Sequence, residues 1–231
     1  MKPQRAVFVP RERVVRWCEN FEARHGPARF QVESGVLGAV SPDGAGAALR
    51  LPFGERYAGP ADPAALAAAV TMPLRWGVLL VRKGGFAVAV VERGTVTVSK
   101  VGQRHVQGRT KAGGQSQQRF ARRRDNQARQ AYAAAAEHAA RVLTGPLAAL
   151  VCGGDRTAVE EVLRDARLTG LATVRVDPWL AVPDPRRAVL DQAVVDAAAV
   201  HVTVTDPDPD EPDDPGDPDD PGRAGAAPGG Q

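Results

Sequence analysis

Residues 108–124 read GRTKAGGQSQQRFARRR and mark the point where the predicted structure changes from strands to a helix. The stretch holds a glycine pair, several neutral amides and six cationic side chains, and it contains no acidic residue. A glycine-bearing loop followed by a basic helix is suited to reach into a polyanion. The cations are Arg109, Lys111, Arg119, Arg122, Arg123 and Arg124.

The segments on either side of this stretch differ in periodicity. Three valine-rich runs, at 76–82, 86–92 and 95–101, are joined by glycine turns and predict an antiparallel meander. From about residue 116 to 143 the apolar residues recur at helical spacing. The helix therefore has one face that can pack on the sheet, and an opposite arginine face. We define that arginine face as Arg119, Arg122, Arg123 and Arg129.

Strands alternate with helices after Pro146. An apolar run at 147–152 and a second run at 172–176 predict strands, and helical patterns follow each of them, at 153–168 and 184–199. Such alternation implies right-handed crossovers and a parallel segment. The predicted fold is α/β (α+β), a mixed sheet with helices on its faces. Residues 201–204 are either a final strand or the exit from the domain.

Three parts are predicted along the chain. Residues 1–72 form a small α+β unit, 73–205 form the main domain, and 206–231 form a disordered acidic Asp/Pro tail. In the first part we expect a helix at 11–24, strands at 29–33, 36–40 and 47–52, and a short helix capped by Asp62. One side of the first helix should carry Val14, Val15, Cys18 and Phe21.

Charge separates the tail from the body. The chain has a net charge of +3, but the tail contributes −8 and the rest +11. A body this basic favours a nucleic-acid partner over a merely solvated surface.

Several classes of protein and site are disfavoured. Cys18 and Cys152 are far apart and form no metal-binding pattern, so we expect two buried thiols in a cytosolic protein, with no metal. No apolar run approaches the length of a membrane span, and the N-terminus does not resemble a signal peptide. Four acidic residues after a second glycine pair are interpreted as a capped helix start and a solvated face: Asp155, Glu160, Glu161 and Asp165. Two tryptophans, Trp76 and Trp179, are assigned to the core or an interface and not to base stacking.

The segment GGQSQQRFARRR, at 113–124, resembles the catalytic loop and following helix of the central domain of eukaryotic and archaeal class I peptide-chain release factors. The resemblance covers about 130 residues and includes the meander and the LAALVCGGD strand and turn. A Gly-Gly-Gln tripeptide alone carries little weight, because it also ends the chain at 229–231. No stop-codon-reading domain is recognisable before the meander. The chain is therefore similar to the smaller release-factor-like ribosome-rescue proteins, in particular an actinobacterial branch.

This resemblance implies release of a stalled nascent chain by hydrolysis of peptidyl-tRNA. The implied partners are the large ribosomal subunit, peptidyl-tRNA and rRNA, and we expect a monomer without cofactor. The implied catalytic residues are Gly113, Gly114 and Gln115, with Gln117 as an alternative amide because some relatives place the glutamine after a serine. The cations that would contact RNA are Arg109, Lys111, Arg119, Arg122, Arg123 and Arg129.

Two other functions stay open at this point. The protein could be a non-catalytic module that binds the ribosome or RNA. It could also cut the tRNA near its acceptor end, but ribonuclease chemistry usually needs an acid/base pair and His105 is the only histidine near the loop.

Overall fold

The structure, a computed structural model, describes residues 4–103 and 116–206, and in the second range it describes side chains from Arg129 onward. These residues form two five-stranded sheets. Residues 104–115 and the acidic tail after Asp206 lie outside the described residues, so the predicted disorder of the tail stays a prediction. No helix in the described ranges has the length and apolar character needed to cross a membrane.

The first sheet is wholly antiparallel, with the strand order β1-β10-β4-β3-β2. Its strands are β1 (Gln4–Val9), β2 (Arg29–Glu33), β3 (Val36–Val40), β4 (Gly46–Arg50) and β10 (Val200–Thr205). Two helices, α1 (Val14–His25) and α2 (Pro63–Ala69), pack against it and enclose one apolar core.

The second sheet is mixed, with the strand order β7-β6-β5-β8-β9. The meander β5 (Arg75–Arg82), β6 (Gly85–Glu92) and β7 (Thr95–Gln103) is antiparallel, whereas β8 (Leu150–Gly154) and β9 (Arg175–Leu180) run parallel to β5. Three helices complete this part: α3 (Ser116–Val142), α4 (Arg156–Leu163) and α5 (Arg187–Ala197).

The helices lie on both faces of the second sheet. Leu79, Val81 and Val88 point to the face covered by α3 and α4. Their neighbours in the strands, Val78 and Leu80, point to the face covered by α5. Because successive strand residues alternate between faces, a sheet covered on both sides has continuous apolar strands, as β5 and β6 do.

The predicted fold class is confirmed: the protein is α+β, with a mixed sheet flanked by helices. The Asp62 cap is also confirmed, since its carboxylate accepts hydrogen bonds from the Ala64 and Ala65 amides at 3.2 and 3.0 Å. Residues 201–204 belong to a strand, β10, which lies in the first sheet between β1 and β4. The predicted domain boundary at residue 72 stays a proposal. The last strand, β10, pairs with strands from the first 72 residues and so lies in the first sheet.

Several local predictions differ from the structure. The strand predicted at 147–152 runs from Leu150 to Gly154. Val15 is 40% exposed, because the buried stripe of α1 follows Val14, Cys18 and Phe21 and Val15 lies to one side of it. The strand predicted at 172–176 begins at Arg175, and residues 169–174 form a 3-10 helix instead. β9 continues through Pro178, which a strand tolerates because β9 is a sheet edge. The strand β1 was not predicted.

Candidate nucleic-acid interface

The predicted catalytic loop connects two well-defined elements. β7, an edge strand of the second sheet, ends at Gln103, and α3 begins at Ser116. The predicted catalytic residues Gly113, Gly114 and Gln115 lie between them, outside the described residues, as do Arg109, Lys111 and His105. The alternative, Gln117, is the second residue of α3. The structure therefore describes the two elements that flank the loop, β7 and α3.

The β7 side of the loop is packed closely against β6. Gly102 pairs with Phe86, and a Cβ added at Gly102 would overlap the Phe86 ring. Gly85 pairs with Gln103, and a Cβ added there would lie 2.5 Å from the Gly102 carbonyl oxygen. Both positions therefore require glycine, which fixes the backbone of β7 just before the loop.

The C-terminal part of α3 contacts the same aromatic ring. His138 of α3 stacks on Phe86 with 5.3 Å between ring centroids and 23° between ring planes. Phe86 is 7% exposed and thus lies in the core between α3 and β7. One ring therefore contacts both elements that flank the loop. We call Phe86, His138 and Gly102 the loop anchor.

The C-terminal half of α3 is buried on one face. Ala135 and Ala139 are fully buried against the sheet, and Ala131 and Val142 are nearly so. Tyr132 lies at the edge of this core, where burial, then repulsion from Asp155 and Glu161, raises the pKa of its phenol. The predicted apolar face is thus confirmed from Ala131 onward. At a rise of about 1.5 Å per residue, about 22 Å of helix separates Ala131 from Ser116.

The far end of α3 is held by an arginine of the meander. Arg75 donates hydrogen bonds to the carbonyl oxygens of Thr144 and Pro146, at 2.6 and 2.8 Å, and its Nε pairs with Glu92 at 2.8 Å. These carbonyls follow the last turn of the helix, so a single guanidinium ties the end of α3 to β5 and β6. The helix is therefore fixed at its end and along its buried face.

The arginine face is described in part. Arg129 is exposed, two residues before the buried Ala131, as the predicted helix geometry requires. Arg119, Arg122 and Arg123 lie on the helical backbone of α3, and their side chains are outside the described residues. Their contacts with RNA stay a prediction.

The weaker candidates have structural roles. The Asp155 carboxylate accepts a hydrogen bond from the Ala158 amide at 3.3 Å and caps α4, as predicted. Two hydrogen bonds from the Arg167 guanidinium and one from its backbone amide hold the pKa of the Asp165 carboxyl at about 2. In the described ranges no three His, Cys, Asp or Glu side chains cluster so as to hold a metal ion.

The cysteines and tryptophans are also placed in the protein interior. Cys18 and Cys152 are both buried, and burial raises the pKa of each thiol to about 12, so neither is a ready nucleophile. Trp76 is 1% exposed. Trp179 is half-buried, donates to the Gly154 carbonyl oxygen at 3.2 Å and lies under the Arg156 guanidinium.

Sequence reasoning did not identify the loop anchor or Arg75. Phe86 and His138 are 52 positions apart and belong to no common motif. Gly102 is a glycine late in a predicted strand, which by itself indicates only a close approach of another group. Such pairings become visible only when β6 and α3 are packed together.

The comparisons agree with the resemblance seen in the sequence. The family described as Actinobacteria/chloroflexi VLRF1 release factor matches residues 74–203, more than half of the chain. The match includes the meander, the loop, α3 and the parallel strands. No curated protein matches the chain.

Proposed function

The chain belongs to the Actinobacteria/chloroflexi VLRF1 release factor family, with a ribosome-rescue role, and on this basis we propose that it hydrolyses peptidyl-tRNA on stalled large ribosomal subunits. The observation that supports the proposal most strongly is the match over residues 74–203, because this range contains the GGQ loop and both elements that hold it. The protein would act in the cytoplasm as a monomer that contacts rRNA and the tRNA acceptor end.

The proposed chemistry needs no charged catalyst. The ester between peptide and tRNA is labile, so the enzyme has to orient a water and stabilise the developing oxyanion. Gly113 and Gly114 lack a Cβ and can enter a narrow RNA cavity. The Gln115 backbone amide would donate to the oxyanion, and its side-chain amide would orient the water. A carboxylate at this position would be repelled by the surrounding phosphates.

The packing around β7 and α3 supports the proposal, because this chemistry depends on accurate positioning. A misplacement of about 1 Å can cost about 100-fold in rate. The loop anchor packs the C-terminal part of α3 against the end of β7, and Arg75 holds the carbonyl groups that follow α3. In this proposal the arginine face contacts phosphates and holds the helix on RNA without reading its sequence.

The test is peptide release from peptidyl-tRNA on isolated large subunits. We expect Gln115→Ala to lower the single-turnover rate at saturating protein about 100-fold, or about 2.7 kcal/mol, with subunit binding unchanged. Gln231 ends the identical tripeptide at 229–231 and is the matched control: Gln231→Ala should release peptide at the wild-type rate.

Two outcomes would contradict parts of the proposal. Full activity of Gln115→Ala with loss in Gln117→Ala would move the catalytic amide to Gln117. Sequencing the 3′ end of the released tRNA tests the reaction itself. Hydrolysis leaves a full-length tRNA, and a tRNA that lacks its terminal nucleotides would establish endonucleolytic cleavage instead.

A further inference from the structure

An open cleft lies in the first sheet, outside the residues that match the release factor family. It has a volume of about 510 Å³, within the range of about 300–1,000 Å³ of ligand sites. The cleft runs between β1 and α1. Its main lining residues are Phe8, Pro10, Arg13, Arg16, Trp17 and Asn20. We call it the β1–α1 cleft.

The local structure brings polar and aromatic groups to this cleft. Arg13, Arg16, Trp17 and Asn20 follow the spacing i, i+3, i+4, i+7 and share one side of the helical segment that begins with the 3-10 turn Arg11–Arg13. The other wall is β1, which lies at the edge of its sheet and, among the described strands, pairs only with β10.

The cleft is cationic. None of its lining residues is acidic, and Arg13 and Arg16 are both exposed. Within the described part of the chain neither arginine takes part in an ion pair. Arg13 and Arg16 therefore present positive charge to an anion entering the cleft.

An aromatic ring accompanies these charges. Trp17 is half-buried and stacks on Phe21, with 5.7 Å between ring centroids and 15° between ring planes. Phe21 thus holds the Trp17 ring in place from behind while part of that ring remains accessible. The Phe8 ring lies on the other face of the sheet, where it packs on His201 and the second core, so it takes no part in stacking within the cleft. A fixed aromatic surface beside guanidinium groups matches the alternation of base and phosphate in a single strand.

We propose that the β1–α1 cleft binds single-stranded RNA. Arg13 and Arg16 contact phosphates, Trp17 stacks on a base, and the Asn20 amide hydrogen-bonds to a base edge or a ribose hydroxyl. The proposal assigns the chain a second RNA contact, separate from the arginine face. It does not depend on ester hydrolysis by the loop, because the two surfaces belong to different sheets.

The experiment measures binding of the full chain to a labelled 12-nucleotide oligouridylate by fluorescence anisotropy across a range of salt concentrations. We expect Arg13→Gln/Arg16→Gln to weaken binding at low salt and to lower the slope of log K against log salt by about 1.4, about 0.7 for each phosphate contact on a single strand. The matched control, Arg29→Gln/Arg175→Gln, removes the same charge from exposed sites outside the cleft and should leave the slope unchanged.

A second variant tests stacking. Trp17→Leu leaves the net charge intact and should weaken oligouridylate binding about 10-fold without changing the salt slope. Thermal unfolding of this variant shows whether the loss reflects unfolding. Arg13 and Arg16 are exposed, so the Arg13→Gln/Arg16→Gln variant should keep the wild-type melting temperature. This variant therefore tests the proposal even if Trp17→Leu does not fold.

Three results would overturn the proposal. If the Arg13→Gln/Arg16→Gln and Arg29→Gln/Arg175→Gln variants change the slope of log K against log salt equally, RNA binding depends on the overall charge of the protein and not on the cleft. Full binding by a folded Trp17→Leu variant would exclude base stacking. An acidic peptide that displaces the oligonucleotide from the cleft, with tighter binding than RNA, would identify a protein partner instead. Gln115→Ala should bind the oligonucleotide normally, so failure of the cleft proposal and failure of the hydrolysis proposal are distinguishable.

Discussion

Removal of the Phe86 ring tests whether the loop anchor serves catalysis as well as stability. Phe86 is 7% exposed, so truncation to alanine removes a nearly fully buried ring and should cost about 3–5 kcal/mol of unfolding free energy. The stack on His138 contributes about 0.5–1.5 kcal/mol of that loss. In addition, the end of β7 and the C-terminal part of α3 lose their common contact.

A matched control packs on the other face of the same sheet, from the 3-10 turn Pro52–Gly54. Phe53 is 5% exposed and packs on Trp76 with 5.0 Å between ring centroids, on the face covered by α5. Phe53→Ala should therefore also lose about 3–5 kcal/mol, but it leaves the loop anchor intact. Unfolding in urea, followed by tryptophan fluorescence, measures both losses.

The two variants should differ in peptide release. In single-turnover reactions at saturating protein, corrected for the folded fraction, we expect Phe86→Ala to be about 10- to 100-fold slower than wild type, whereas Phe53→Ala should approach the wild-type rate. Phe86→Leu keeps an apolar side chain and should fold if the alanine variant does not, with a smaller loss in rate. If both alanine variants slow release by the same factor, the anchor contributes stability and no positioning.

Four further outcomes are expected. Charge removal from the arginine face of α3, at Arg119, Arg122 and Arg123, should lower the slope of log K against log salt for ribosome binding by somewhat under one unit for each lost phosphate contact. An unchanged slope would mean that these arginines are only a solvated face. Truncation after Thr205 removes a charge of −8 and should tighten binding to unrelated RNA at low salt with release unchanged at saturation, whereas equal binding would leave the tail a solubilising segment. Asp62→Ala removes the cap of α2 and should cost about 1 kcal/mol in urea unfolding. Burial, followed by repulsion from Arg50, lowers the pKa of His201 in the folded protein. The unfolded chain therefore binds the proton more readily, and the free energy of unfolding should fall as the pH drops below about 6.5. His201→Phe should reduce that loss when unfolding is measured at pH 7.5 and at pH 5.

Local sequence determined much of the second sheet. The meander, the helix from residue 116 and its apolar face from Ala131 were predicted because alternation in strands and a 3.6-residue period in helices are properties of neighbouring residues. The caps at Asp62 and Asp155 were predicted for the same reason, since a capping side chain bonds amides two or three positions away. The candidate catalytic residues also came from the sequence, through one contiguous motif.

The tertiary structure decided which distant segments meet. The pattern of residues 200–205 marks one buried side of a strand, but it contains nothing that selects β1 and β4 as partners, 150 or more positions earlier in the chain. Phe86 and His138 are likewise an ordinary buried phenylalanine and a helical histidine until β6 and α3 pack together. The β1–α1 cleft also needs β10 to seat β1 beside α1. Periodicity fixes the face that a segment buries, whereas its partner depends on the packing of the whole chain.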